Sequence, residues 1–87
     1  MDSPHTMKQY NALQNSVRDA LERYLADLGD TQPSGLYDMV IQCVERPILQ
    51  IAMQHAEDNQ SKAADMLGMT RNTLRKKLLS HKLLSEK

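Results

Sequence analysis

The chain is 87 residues long, contains no Phe and no Trp, and has a single cysteine, Cys43. A chain of this length forms one small domain that buries only about 60–65% of its unfolded surface, and it lacks the largest core-filling side chains, so burial against a second subunit is favoured. One cysteine excludes an internal disulfide, and we expect Cys43 to be a small buried hydrophobe in a reducing cytosol. No apolar run approaches the roughly 20 residues of a membrane span, and the first residues lack the apolar core of a signal peptide.

The formal net charge is zero, but the charge is unevenly distributed along the chain. Residues 1–58 carry four basic and nine acidic residues, a net charge of −5, whereas residues 59–87 carry seven basic and two acidic residues, a net charge of +5. A dimer would therefore present two basic ends on an acidic body. This asymmetry is typical of a phosphate-binding surface.

Residues 1–12 are polar, show no hydrophobic period and are predicted to form a flexible N-terminal arm. Residues 13–28 predict an amphipathic helix that Gly29 ends. Its apolar stripe consists of Leu13, Val17, Leu21, Tyr24, Leu25 and Leu28.

Residues 29–35 are a turn-rich connector, in which Ser34 is expected to cap the next helix. Residues 36–57 predict a long helix that is apolar on nearly every side, and such a helix must be buried on every side. One partner helix in a monomer cannot cover it, so residues 13–58 are predicted to be dimerisation helices. The predicted dimer interface consists of Val40, Ile41, Val44, Ile48 and Ile51.

Pro47 lies in the middle of this predicted long helix. It removes one backbone hydrogen bond and crowds the carbonyl of Cys43, so a kink is expected. We do not expect a break, because the apolar periodicity continues beyond the proline. The alternative is two separate helices, with Pro47 at the start of the second.

Residues 59–87 predict a helix-turn-helix unit. Asn59 is a good N-cap for a short helix, Gln60 to Leu67, which presents Ala63 and Ala64 on its buried side. Gly68 ends that helix because it adopts positive φ without steric cost.

Thr70 is predicted to cap a second helix that runs from Arg71 to about Leu79 and buries Leu74 and Leu78, with His81 also facing inward. Two helices joined by a short turn around small residues place the second helix in the DNA major groove. Arg71, at the first helical position, can pair bidentately with guanine. The outward arc of this helix holds Asn72, Thr73, Arg75, Lys76 and Leu79. The alternative is a solvated basic helix with no ligand.

Residues 36–78 closely resemble the Fis family, bacterial nucleoid-associated proteins that bend DNA. The most specific runs are Glu45-Arg46-Pro47, then residues 59–64, NQSKAA, and residues 73–78, TLRKKL. The resemblance extends more weakly to about residue 13. The NtrC-type enhancer-binding activators carry the same helix-turn-helix at their C-terminus, so that part alone does not separate the two families.

The resemblance implies an all-α fold: a four-helix subunit, an intertwined homodimer and a C-terminal helix-turn-helix. It also implies double-stranded DNA as the partner, with the recognition helices closer together than one DNA turn, so that the duplex bends and specificity depends in part on its deformability. The positions that match the family's DNA contacts are Asn59, Ser61, Lys62, Thr70, Arg71, Thr73, Arg75, Lys76 and Lys77.

This sequence departs from the family pattern in several places. The N-terminal segment is short and lacks alternating β-branched residues, so the resemblance does not support a contact with site-specific recombinases. The turn at Glu57-Asp58 is acidic, whereas it tends to be basic or neutral in members that contact RNA polymerase, and this argues against that partner. Thr70 stands where Asn is common, and Leu79 and Ser80 stand where lysine is usual.

No catalytic constellation, cofactor motif or metal-ligand spacing is found in the sequence, and an enzyme is not expected. His5, His55 and His81 are far apart in the sequence. The competing class is a dimeric helical protein-interaction adaptor, which would explain the apolar long helix but not the basic residues gathered beside a glycine turn. Duplex binding that weakens with salt would separate the two.

Overall fold

The computed structural model describes residues 4–85, with side chains from residue 8 onward. The described chain consists of four α-helices, α1 (Pro4–Leu28), α2 (Leu36–His55), α3 (Gln60–Leu67) and α4 (Arg71–Ser80), and it contains no β-strand. The all-α, four-helix subunit is therefore confirmed. The chain divides into two compact units, Met1–Ser34 and Gly35–Lys87.

The first unit contains α1, which begins at Pro4. Residues 4–12, predicted to belong to an arm before the helix, are instead its first turns; residues 1–3 lie outside the described part of the chain. Proline suits the first helical position because its ring fixes φ near the helical value. A backbone N–H at that position has no partner within the helix, so its absence from proline costs no hydrogen bond. No described side chain of α1 is buried, and Leu13 of the predicted apolar stripe is 65% exposed.

Gly35, not Ser34, precedes the first turn of α2. Gly35 has φ 64° and ψ 29°, a left-handed conformation, and no side chain caps this end of the helix. Because glycine adopts this conformation without steric cost, the chain can turn directly into the helix at Gly35. The predicted Ser34 cap is therefore wrong.

Helix α2 continues through Pro47, so the alternative of two separate helices is excluded. It ends at His55, two residues before the predicted end, because Glu57 and Asp58 take positive φ values of 53° and 66°. Its buried residues are Leu49 and Ala52.

Cys43 is exposed, so the prediction of a buried cysteine is wrong for the single subunit. The core covers only the side of α2 that carries Leu49 and Ala52. A helix that is apolar nearly all round therefore keeps apolar surface in contact with solvent in one subunit.

The core of the second unit lies where α2, α3 and α4 meet. Alanines on α3 allow close approach, and two leucines of α4 fill the space between the helices. Its buried apolar residues are Leu49, Ala52, Ala56, Ala63, Ala64, Leu74 and Leu78, and partly buried Met53, Leu67, Met69, Leu83 and Leu84 pack against them.

Candidate nucleic-acid interface

Helix α3 begins and ends at the residues that the sequence predicts. The Asn59 side-chain oxygen Oδ1 accepts a hydrogen bond from the backbone N–H of Lys62 at 3.1 Å. At the other end Gly68 has φ 76° and ψ 34°, and the backbone N–H of Met69 donates to the carbonyl of Ala64 at 3.0 Å. The left-handed glycine thus closes the C-terminus of α3 and sends the chain into the turn.

Helix α4 begins at Arg71, three residues after this glycine, and Thr70 precedes it. The Thr70 hydroxyl accepts the backbone N–H of Thr73 at 3.2 Å, so it caps α4. The same hydroxyl donates to the Thr73 hydroxyl at 3.0 Å. Leu74 and Leu78 are 0% and 1% exposed, which fixes the side of α4 that faces the core.

The opposite side of α4 is exposed to solvent and carries the predicted contact residues. On α4 and at its N-cap these are Thr70, Arg71, Asn72, Thr73, Arg75 and Lys76, and on α3 and at its N-cap Asn59, Ser61 and Lys62; all nine are exposed. They belong to one packed helix-turn-helix unit, because α3 and α4 share the buried core.

Four cations of this surface have no acidic partner among the described residues: Lys62, Arg71, Arg75 and Lys76. The ion pairs within the described range both involve Glu45, with Lys77 and with His81. Unpaired exposed cations beside exposed amide and hydroxyl groups can contact phosphate oxygens and base edges.

Lys77 differs from the other predicted contacts. Its ammonium donates to Glu45 Oε2 on α2 at 2.8 Å, and its side chain is 36% exposed. The structure therefore does not place Lys77 in the same environment as Arg75 and Lys76.

Glu45 joins the last turn of α4 to α2. Its second oxygen, Oε1, lies 2.8 Å from His81 Nε2, and Arg46 Nη1 donates to the His81 carbonyl. The hydrogen bond from Lys77, and then that from His81, holds the pKa of Glu45 below its usual value, although burial opposes this shift. Because an ionised carboxylate only accepts hydrogen bonds, Nε2 of His81 is the donor in this contact.

Sequence reasoning missed this role of Glu45 and Arg46. The sequence contains both residues in a run that resembles the Fis family, but their partners on α4 are 32 to 36 positions away. Only the packing of α4 against α2 brings them together.

The predicted dimer-interface side chains lie on one face of α2. Ile41, Val44, Ile48 and Ile51 are 41%, 37%, 47% and 54% exposed, and Val40 is half-buried. They recur at intervals of three and four residues, which is the spacing of one helix face. An apolar face of this length is left uncovered in a single subunit.

Two further features of the described chain concern membrane spans and metal sites. None of its helices has the length and apolar character needed to cross a bilayer. Nor does the described range contain a group of three or more His, Cys, Asp or Glu residues arranged to hold a metal ion.

Known proteins resemble this chain over most of its length. The model of a family described as "Bacterial regulatory protein, Fis family" matches residues 41–80. A protein of Ralstonia nicotianae, named as Fis-like and DNA-binding, is 53% identical over 74 residues, which are 85% of this chain and 96% of that protein.

Two more relatives extend the comparison. A protein of Neisseria meningitidis, also named as Fis-like and DNA-binding, is 49% identical over 81 residues, covering 93% of this chain and 99% of its own. The DNA-binding protein Fis of Psychromonas ingrahamii is 50% identical over 66 residues, covering 76% of this chain and 67% of its own. The first two relatives are thus matched over nearly their whole length.

Proposed function

Because this chain belongs to the Fis family of bacterial regulatory proteins, we propose that it binds double-stranded DNA through its helix-turn-helix and regulates transcription. The observation that carries the proposal is the exposed side of α4, where Arg71, Arg75 and Lys76 have no acidic partner among the described residues. Its relatives are named as DNA-binding proteins, and the family is one of regulators, a non-enzyme class.

The proposed contacts divide into base reading and phosphate binding. Arg71 reads a guanine in each half-site, because a side chain in the first turn of a recognition helix leans toward the helix N-terminus and the base edges. Asn72 lies beside it on the same exposed turn. The phosphate-binding set consists of Asn59, Ser61, Lys62, Thr73, Arg75 and Lys76.

Thr70 has a different part in the proposed site. Its hydroxyl already holds two hydrogen bonds, from the Thr73 amide and to the Thr73 hydroxyl. A threonine cannot pair bidentately with adenine as an asparagine can. Thr70 therefore contributes by fixing the start of the recognition helix, with at most a single contact to the DNA backbone.

A homodimer is the form in which the protein would act. Ile41, Val44, Ile48 and Ile51 form an exposed apolar face on α2, and contact with water makes such a face costly at about 25 cal/mol per Å². Two copies that cover this face would hold two α4 helices at a fixed separation. A separation shorter than one DNA turn would require the duplex to bend.

Other parts of the proposal concern the cellular setting. A DNA-bending protein of this family would act in the cytoplasm, on the nucleoid. The turn after α2 carries Glu57 and Asp58, both exposed, so a contact with RNA polymerase through this turn would require a basic surface on the polymerase.

Duplex binding measured over a salt series tests the proposal. We expect log K to fall linearly with log salt, and Lys76→Ala to lower the slope by about one per subunit. Lys8→Ala is the matched control, because Lys8 is exposed but lies on α1, outside the helix-turn-helix. No binding at low salt would overturn the proposal and favour the protein-interaction adaptor.

DNA bending requires a measurement of its own. Gel mobility of a bound duplex with the site placed at its centre or at its end reports bending, because a central bend retards migration more. Equal mobility of the two complexes would contradict bending while leaving DNA binding intact.

A further inference from the structure

We propose that Glu45 is a positioning residue for the recognition helix, and that Lys77 pairs its charge with Glu45 instead of with a DNA phosphate. The proposal rests on the proposed DNA-binding function and refines its contact set. It removes Lys77 from the positions that the family resemblance assigns to DNA.

The geometry of the Glu45 carboxylate carries the proposal. Lys77 and His81 are one helical turn apart, and each contacts a different oxygen of Glu45 at 2.8 Å. The neighbouring Arg46 donates to the carbonyl of His81, the C-cap residue of α4. Two adjacent residues of α2 therefore hold the last turn of α4 at three points.

The three side chains that form these contacts are shielded from solvent to different degrees. The side chains of His81, Glu45 and Lys77 are 6%, 20% and 36% exposed. A surface ion pair contributes little, whereas a part-buried carboxylate that loses its donors is left with an uncompensated desolvation cost. Moving Lys77 to a phosphate would remove one of the two side-chain donors of Glu45.

Holding the end of α4 bears directly on DNA binding. Helix α4 has only ten residues, and an isolated helix of that length is not stable in water. Leu74 and Leu78 fix its inner side, and the Glu45 contacts fix its C-terminal turn. Together these contacts fix the orientation of α4, and with it the side of the helix from which Arg71 and Arg75 project.

The first test compares the salt dependence of DNA binding for Lys77→Met and Lys76→Met. We expect Lys76→Met to lower the slope of log K against log salt by about one per subunit, and Lys77→Met to leave it unchanged. The conservative Lys77→Arg, which keeps a donor for Glu45, should match the wild type in both slope and stability. A slope for Lys77→Met as low as that of Lys76→Met would overturn the proposal.

The second test needs no DNA and measures unfolding of wild type, Glu45→Gln, Lys77→Met and the double variant. We expect a coupling between the two changes of roughly 3- to 10-fold in the folding equilibrium constant. Additive effects would overturn the anchoring by Glu45. Absence of DNA binding by the wild type would instead overturn the proposed function, and the coupling would still decide whether Glu45 holds α4.

Discussion

Thr70 and Thr73 are joined by two hydrogen bonds that close the first turn of α4. The Thr70 hydroxyl accepts the Thr73 backbone N–H at 3.2 Å and donates to the Thr73 hydroxyl at 3.0 Å. Because the cap supplies a partner to an otherwise unpaired amide, Thr70→Ala should lower the free energy of unfolding by about 1 kcal/mol. Thr70→Asn should preserve stability, since asparagine caps at least as well. Chemical denaturation of the three proteins checks this, and equal stability of the Ala variant would contradict it.

Gly68 is a second position where the backbone alone sets the cost of a substitution. Its φ is +76°, and a Cβ atom added there would meet nothing within 4 Å. Gly68→Ala should therefore destabilise only through left-handed strain, by about 1 kcal/mol. Gly68→Asn is the matched control and should lose less, because asparagine tolerates this conformation. Thermal unfolding of both variants decides; an Ala variant as stable as the Asn variant would be inconsistent with this reasoning.

Arg71 is predicted to carry sequence discrimination. Arg71→Ala should weaken binding to the preferred duplex by about 1–3 kcal/mol and relax selection at one base pair in each half-site. The comparison variant is Arg75→Ala, which should weaken all duplexes alike because it loses a phosphate contact. Selection from random duplexes, followed by sequencing of the bound pool, measures both effects. The same loss of selectivity in both variants, or in neither, would show that Arg71 does not read a base.

Ile48 is predicted to lie in the interface between two subunits. It is 47% exposed in one subunit, so Ile48→Asp places a carboxylate where water already reaches and should not disrupt the subunit core. In a dimer the same carboxylate would be buried without a partner, and the dimer should dissociate. Met66→Asp is the matched control: Met66 is 52% exposed but lies on α3, outside the apolar face of α2. Sedimentation at low concentration gives the result, and a wild-type protein that is already a folded monomer would refute the interface.

Glu45 predicts a pH dependence with a defined sign. The pKa of Glu45 is lower in the folded chain than in the unfolded chain, mainly because Glu45 accepts a hydrogen bond from Lys77. The stabilisation that the ionised carboxylate gives to the folded state is therefore fully present above the ordinary glutamate pKa of about 4.3. That stabilisation is lost as the pH falls through the lowered value. The difference in unfolding free energy between wild type and Glu45→Gln should therefore shrink below about pH 4. A difference that stays constant from pH 7 to pH 3 would contradict the lowered pKa.

The helix-turn-helix was predictable from sequence because its signals are local. Asn59 and Thr70 lie next to the turns they cap, and Gly68 ends α3 through its own backbone freedom. Such signals act over three or four residues and do not depend on the rest of the chain. The helix α1 was predicted to start at residue 13 but starts at Pro4. Polar residues without an apolar stripe can still extend a helix, and proline is a favourable first residue.

What the sequence determined by itself was the order of the helices, the caps of α3 and α4, and the uneven distribution of charge. Only the tertiary structure decided which charges are paired. Lys76 and Lys77 are adjacent and chemically equivalent in the sequence, yet Lys76 is exposed, whereas Lys77 meets Glu45 across 32 residues. The physical reason is that burying Leu74 and Leu78 fixes the rotation of α4 about its axis, and that rotation turns Lys77 toward α2.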